Sequence, residues 1–146
     1  LADINIEAKY LKKEEEIVAA VAKELGIKHV TPTPPSHRVD GLFMCDDNEE
    51  IHHLIEAKSR NITSYQYTTT KLEIGKWMAL KGFNEMIPTI LAIGWSDKKI
   101  GYNHVDQLEP SLFSLMNRKK VRRPSDWQIA VEIPIEQFIF IEQLTV

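Results

Sequence analysis

Two apolar segments, Arg38-Val39-Asp40-Gly41-Leu42-Phe43-Met44-Cys45 and Ile51-His52-His53-Leu54-Ile55-Glu56-Ala57-Lys58, flank the linker Asp46-Asp47-Asn48-Glu49-Glu50. Each segment is short and rich in residues that suit a half-buried strand, and the linker holds no apolar residue. That pattern predicts a β-hairpin. Three charges sit inside the apolar runs: Asp40, Glu56 and Lys58. Side chains alternate along a strand, so Glu56 and Lys58 point the same way. Hairpin pairing can bring Asp40 beside them.

Upstream, residues 5–25 read as a helix. Leu11, Val18, Val21 and Leu25 recur at helical spacing on one face. Gly26 follows where a helix C-cap is expected. Glu14 falls on the same stripe and interrupts the face that should meet a sheet. Glu15 lies at the stripe's edge and Glu16 points away, while Glu7 is on the stripe but close to the start. Residues 27–31 form a short strand before the stiff connector Thr31-Pro32-Thr33-Pro34-Pro35. Downstream, Thr63 or Ser64 is a candidate cap for a second helix that runs to Lys81 and stops at Gly82. Residues 87–95 and 100–105 read as strands, residues 110–118 as a third helix, and residues 127–134 and 138–141 as late strands. Helix, two or three strands, helix and strand in that order predict an α/β domain with a mixed central sheet.

The 146 residues suit a single domain over 1–146, with a core at about 5–105 and a C-terminal extension at 106–146. Hydrophobic residues at 43% and charged residues at 27% are ordinary globular usage, which excludes a disordered or fibrous chain. A formal charge of −3 excludes a uniformly basic coat but not a local basic patch. Cys45 is the one cysteine, so neither an internal disulfide nor a cysteine zinc site is available. This usage fits a reducing cytoplasm. No apolar run approaches the roughly 20 residues that span a bilayer, so no membrane partner is expected. Residues 1–10 are too polar for a secretory signal. The sequence contains no P-loop, no Gly-x-Ser-x-Gly and no His-Glu-x-x-His.

Burying an unpaired charge costs several kcal/mol, so carboxylates and an ammonium gathered at one sheet end need a compensating interaction. A salt bridge between Lys58 and Asp40 or Glu56 is one solution. A hard divalent cation such as Mg²⁺, which takes oxygen ligands, is the other. Lys58 can then orient a water or stabilise charge developing on a phosphate. Ser64-Tyr65-Gln66-Tyr67-Thr68-Thr69-Thr70-Lys71 follows the second strand, and Gln66 and Lys71 suit phosphate oxygens near a helix start. Asn117-Arg118-Lys119-Lys120-Val121-Arg122-Arg123 places Arg118, Lys119, Lys120, Arg122 and Arg123 together with no acid between them. That is an electrostatic footprint for a polyphosphate backbone. His52 and His53, adjacent on a strand, are expected to face opposite ways and not to share a ligand. Trp77 and Leu80 read as core.

Asp40, then Glu56-Ala57-Lys58, with Glu14 in the preceding helix, resembles the PD-(D/E)XK nuclease superfamily. Glu14-Glu15-Glu16-Ile17-Val18 with Leu25-Gly26 is similar to the first helix of small archaeal junction resolvases. The resemblance spans about residues 12–95 and departs at Val39, where the pattern has proline. It implies a restriction-endonuclease-like αβββαβ core with helices flanking a mixed sheet. It further implies a Mg²⁺-dependent DNA endonuclease, with Mn²⁺ able to substitute. Asp40, Glu56 and the carbonyl of Ala57 would hold the metal, Glu14 would be an accessory ligand, and Lys58 would position the attacking water. Two chains would cut both strands symmetrically, so a homodimer or higher assembly is expected, with the late strands as an interface. The alternative is a non-catalytic DNA-binding or assembly module that keeps a nuclease-like fold.

Overall fold

Pairing in the hairpin follows the apolar pattern. In this computed structural model, which describes residues 8–33, 42–117 and 127–142, β2 (Leu42–Asp47) pairs antiparallel with β3 (Glu50–Ser59). The turn is tighter than the polar linker suggests. Only Asn48 and Glu49 lie between the strands, both in the left-handed region (φ 51° and 69°) that a two-residue hairpin turn requires. Leu42, two residues after Asp40 in the sequence, is the register partner of Glu56. Asp40 itself lies outside the described residues.

The central sheet has the order β1-β2-β3-β5-β6-β9. Its added strands are β1 (Val30–Pro32), β5 (Thr89–Gly94), β6 (Ile100–His104) and β9 (Ile139–Ile141). β3 and β5 run parallel and the other neighbours antiparallel, so the sheet is mixed. β5 is buried along its whole length, as a strand covered on both faces should be. The fold is therefore α/β, with helix α1 (Ala8–Leu25) on one face and α2 (Ile74–Asn84) on the other.

Helix α1 lays Ile17, Val18 and Val21 onto Phe43, Cys45, Ile55, Ala57, Ile90 and Ala92. It stops as its sequence predicts. Gly26 adopts φ 71°, its N–H donates to Lys23 O and that of Ile27 donates to Ala22 O, which satisfies the last carbonyls. Leu25, assigned to the packed stripe by periodicity, is 37% exposed; the buried stripe runs through Ile17, Val18, Val21 and Ala22 instead.

Two helix assignments need correction. Residues 64–68 form a loop and Thr69–Glu73 form a strand, β4, so the second helix starts ten residues later than the hydroxyl-rich run suggests. Its cap is Glu73, whose carboxylate accepts from the N–H groups of Gly75 and Lys76 at 2.9 and 3.0 Å. The signal was period two: Thr70 and Leu72 are buried while Lys71 between them is exposed. Likewise residues 112–117, expected as helix, form β7 (Leu112–Asn117). It pairs with β8 (Trp127–Pro134), which also pairs with β4 to give a second, three-stranded sheet. Leu-Phe-Ser-Leu-Met suits either state, and the ladder offered by β8 selects the strand.

The second core, on the α2 face, gathers Leu42, Leu54, Leu72, Trp77, Leu80, Leu91, Ile93, Val131 and Ile133. Trp77 and Leu80 are core, as expected. Among the described residues no helix is long and apolar enough to cross a membrane.

Gly94 of β5 lies against Ile17 of α1. A Cβ there would stand 2.6 Å from Ile17 Cδ1 and 2.8 Å from Cγ1. Gly94→Ala should therefore destabilise the protein by about 1–3 kcal/mol through overpacking. Combining it with Ile17→Ala should cost less than the two single changes added together, measured by urea unfolding. Strict additivity would show that the contact is not tight.

Candidate active site

β3 supplies the charges, and its neighbours dictate their environment. The face of β3 that carries Leu54 also carries Glu56 and Lys58, and it looks toward α2. Glu56 is in register with Leu42 on one side and Leu91 on the other, and it is fully buried. As side-chain alternation predicts, Lys58 lies on the same side, its Nζ 3.5 Å from Glu56 Oε1. A second ammonium, Lys76 Nζ from the first turn of α2, is closer, at 2.9 Å from the same oxygen.

Both ammonium groups crowd Oε1. Among the described residues Oε1 is thus held by the two ammonium groups, whereas Oε2 is buried with no hydrogen-bond donor. Burial pushes the Glu56 carboxyl above the ordinary carboxylate range, and Lys58 and Lys76 pull it back only in part. A buried carboxylate whose second oxygen has no donor among the described residues is an environment that a divalent cation satisfies. Glu56 therefore fits a metal ligand. Among the described residues alone, no three His, Cys, Asp or Glu side chains cluster as a metal-binding group. Asp40, expected from the sequence as a second ligand, lies outside the described residues.

Arg60 adds a third cation near Glu56. Its guanidinium donates to the carbonyl of Lys71 at 2.5 Å, so the end of β3 is tied to β4. Burial lowers its pKa and the nearby Glu56 carboxylate raises it; a guanidinium stays charged in any case.

Glu14 is half-buried on α1, on the stripe of Ile17 and Val18 that faces the sheet, whereas Glu15 and Glu16 are exposed. The predicted helix phase is right at this point. α1, however, covers the face of the sheet opposite Glu56. At the end of β3, Lys13 and Ile17 of the same helix line one cleft with Ser59 and Arg60. Ala57 is buried in β3 between the two charged positions. Gln66 is exposed in the loop before β4, not at a helix start. Lys71 is exposed on β4, with Nζ 3.4 Å from the carbonyl of Leu115. Arg118, Lys119, Lys120, Arg122 and Arg123 lie outside the described residues.

Lys76 and Arg60 were missed from the sequence. Lys76 did leave a trace, since it precedes Trp77 and stands four residues before Leu80, both buried. A charge on the packed stripe is the same signal that singled out Glu14. His52 and His53 also differ from expectation: their Nδ1 atoms are 2.8 Å apart. The register slips between Cys45, which faces His53, and Asp46, which faces Ile51, so His52 is the extra residue of a β-bulge. A bulge breaks the alternation that would have sent the rings to opposite faces.

A sequence profile described as "Phage putative PDDEXK endonuclease" matches residues 6–141. No curated protein sequence matches the chain. Among solved structures, Hjc, a Holliday junction resolvase from Archaeoglobus fulgidus, is similar with a TM-score of 0.49 at 13% identity, over 86% of this chain and 87% of that one.

The raised Glu56 pKa has a stability consequence of definite sign. The native state holds the proton more tightly than the unfolded chain, so stability falls as pH rises through the unfolded-chain value of about 4.3. The loss is complete above the native value. Glu56→Gln should therefore raise the melting temperature by a few degrees at pH 7.5 in EDTA, with the gain vanishing toward pH 4. A variant less stable than wild type at every pH would show that the two lysine contacts outweigh the desolvation.

Proposed function

We infer the activity from one premise: the chain belongs to the PDDEXK endonuclease family, whose profile covers it from residue 6 to residue 141. The reading is a divalent-metal-dependent DNA endonuclease that hydrolyses phosphodiester bonds, with Mg²⁺ as the working ion and Mn²⁺ as a substitute. The observation that carries it is the fully buried Glu56 carboxylate, with one oxygen held by Lys58 and Lys76 and the other, among the described residues, without a donor. Glu56, Asp40 and the carbonyl of Ala57 would hold the metal, and Glu14 would assist as an accessory ligand. The ion supplies Lewis acidity toward the scissile phosphate.

The protein's own side chains do the remainder. Lys58, partly exposed, would orient the attacking water or donate to a phosphate oxygen. Lys76 holds the Glu56 carboxylate from the α2 side and offsets its charge. Gln66, Lys71 and the basic segment Arg118, Lys119, Lys120, Arg122 and Arg123 would engage the DNA backbone away from the reacting bond. The enzyme would act wherever its DNA lies; a single cysteine fits a reducing compartment such as the cytoplasm and does not require one.

Symmetric cutting of a duplex calls for two copies. The second sheet offers them a surface: Phe113 and Leu115 of β7 and Trp127 and Ile129 of β8 share one face and are 43–66% exposed. That apolar patch runs on from buried Val131 and Ile133 of the same strand, which suits a homodimer interface.

The test is incubation of supercoiled, linear and branched DNA with Mg²⁺ and with EDTA. Cleavage should need the metal. Asp40→Ala, Glu56→Gln and Lys58→Ala should each lose about 10²-fold or more in rate while staying folded. Lys76→Ala should lose roughly tenfold to a hundredfold, the worth of a charged hydrogen bond. Equal rates for wild type and these variants would overturn the assignment.

A second expectation needs no turnover. Mg²⁺ at about 100 times its Kd should stabilise the wild type by about 2.7 kcal/mol and leave Glu56→Gln unmoved. Glu14→Gln should need more Mg²⁺ than wild type for the same shift, whereas Glu24→Gln at the far end of α1 should not. A wild type that takes up no metal by calorimetry and cuts no DNA would instead be a non-catalytic module on this fold.

A further inference from the structure

We propose that the cleft at the carboxyl ends of β3 and β5 is a second phosphate site, which holds the DNA backbone next to the scissile position; this rests on the nuclease reading above. The cleft has a volume of about 290 Å³. Two separate parts of the fold bring ammonium groups to it, Lys13 from α1 and Lys98 and Lys99 from the β5–β6 turn, and Arg60 at the end of β3 also lines it, its guanidinium turned to Lys71 O. One carboxylate, Glu16, is among the lining residues. In a chain whose formal charge is −3, this is a local excess of positive charge. Nothing in the packing of the core requires it, because Lys98 and Lys99 are exposed.

The turn is built to present those lysines. The N–H of Trp95 donates to Lys99 O and that of Lys98 to Trp95 O. Lys98 is held at φ 67°, a left-handed conformation that disfavours a side-chain-bearing residue. Asp97, which precedes Lys98, does not line the cleft. Its carboxylate accepts from the N–H and hydroxyl of Ser64 at 3.0 and 2.7 Å, so the acid of the turn is occupied elsewhere. The floor is fastened by two backbone bonds, Arg60 N–H to Gly94 O and Ser96 N–H to Ile62 O.

Location selects the ligand. The lining includes Ser59, the residue after Lys58, so the cleft begins where the Glu56–Lys58 centre ends. A DNA strand with one phosphate at that centre can run around the end of β3 into the cleft. Its next phosphates would then meet ammonium groups. Phosphate contacts of this kind fix register on the nucleic acid and carry no sequence information.

The test uses a Glu56→Gln background, so that DNA is bound and not cut. The probe is a fluorescein-labelled duplex oligonucleotide, titrated by anisotropy over a salt series. Lys98→Asn with Lys99→Ala removes the two turn cations, and asparagine tolerates the left-handed backbone. Lys23→Ala with Lys28→Ala, exposed and outside the cleft, is the charge-matched control. The cleft variant should lower the slope of log K against log salt by up to roughly 1.8, at about 0.9 per phosphate contact, and the control should not.

An unchanged slope in a variant with native circular dichroism overturns the proposal. So does a cleft that inorganic phosphate alone stabilises through Lys98 and Lys99 while the DNA slope stays unchanged, since that would be a small-anion site. If wild type cuts DNA and the slope is unmoved, only the cleft assignment fails. If wild type neither binds nor cuts DNA, the nuclease reading fails and the cleft falls with it.

Discussion

A carboxylate with no exposure to water, set in the middle of a sheet, is a costly object, and much of the architecture on the α2 face is arranged around Glu56. Leu42 and Leu91 flank it in register. Lys58 reaches it from two residues along the same strand, and Lys76 reaches it from the start of α2. The start of α2 is in turn held by Glu73, which caps the N–H of Lys76 itself. The ion pairs do not repay the desolvation, since the carboxyl still titrates above its ordinary range. A divalent cation would offset that cost, because it would replace lost hydration with oxygen coordination.

The sheet divides labour between its faces. Toward α1, β3 presents Ile55 and Ala57, which pack on Ile17, Val18 and Val21 as plain hydrophobic core. Toward α2, the same strand presents Glu56 and Lys58. One strand can do both because its side chains alternate, and the charges fall near its carboxyl end, where the chain leaves the sheet. Past that end, Arg60 ties β3 to β4, and the turn after β5 carries Lys98 and Lys99. The charged side chains at the end of β3 and those of the turn after β5 are thus neighbours along one edge of the fold, with a parallel strand pair beneath them.

The legible parts of the sequence were those governed by local periodicity. The hairpin, the α1 stripe through Val18 and Val21, the cap at Gly26, the buried β5 and the bounds of β8 all follow from period two, period 3.6 or a residue's own backbone preference. So did the shared orientation of Glu56 and Lys58. Errors arose where local signals were balanced. The Thr-rich run before β4 resembles a helix cap as well as a strand, and Leu112–Asn117 has no decisive period. The His52–His53 contact was hidden because a register slip leaves no mark in composition.

By itself, the sequence determined which residues carry charge inside apolar strands, and hence that Glu56 and Lys58 share a face and that Glu14 interrupts a packed helix. Those conclusions need only the rotation per residue of a strand or a helix, which is a property of the backbone. Tertiary structure alone brought Lys76 and Arg60 to Glu56, put α1 with Glu14 on the opposite face, and drew Lys13, Lys98 and Lys99 to one cleft. These groups are remote in sequence. What joins them is the parallel crossover from β3 to β5 and the packing of two helices on opposite faces of one sheet, and no local pattern encodes which distant side chains such packing makes neighbours.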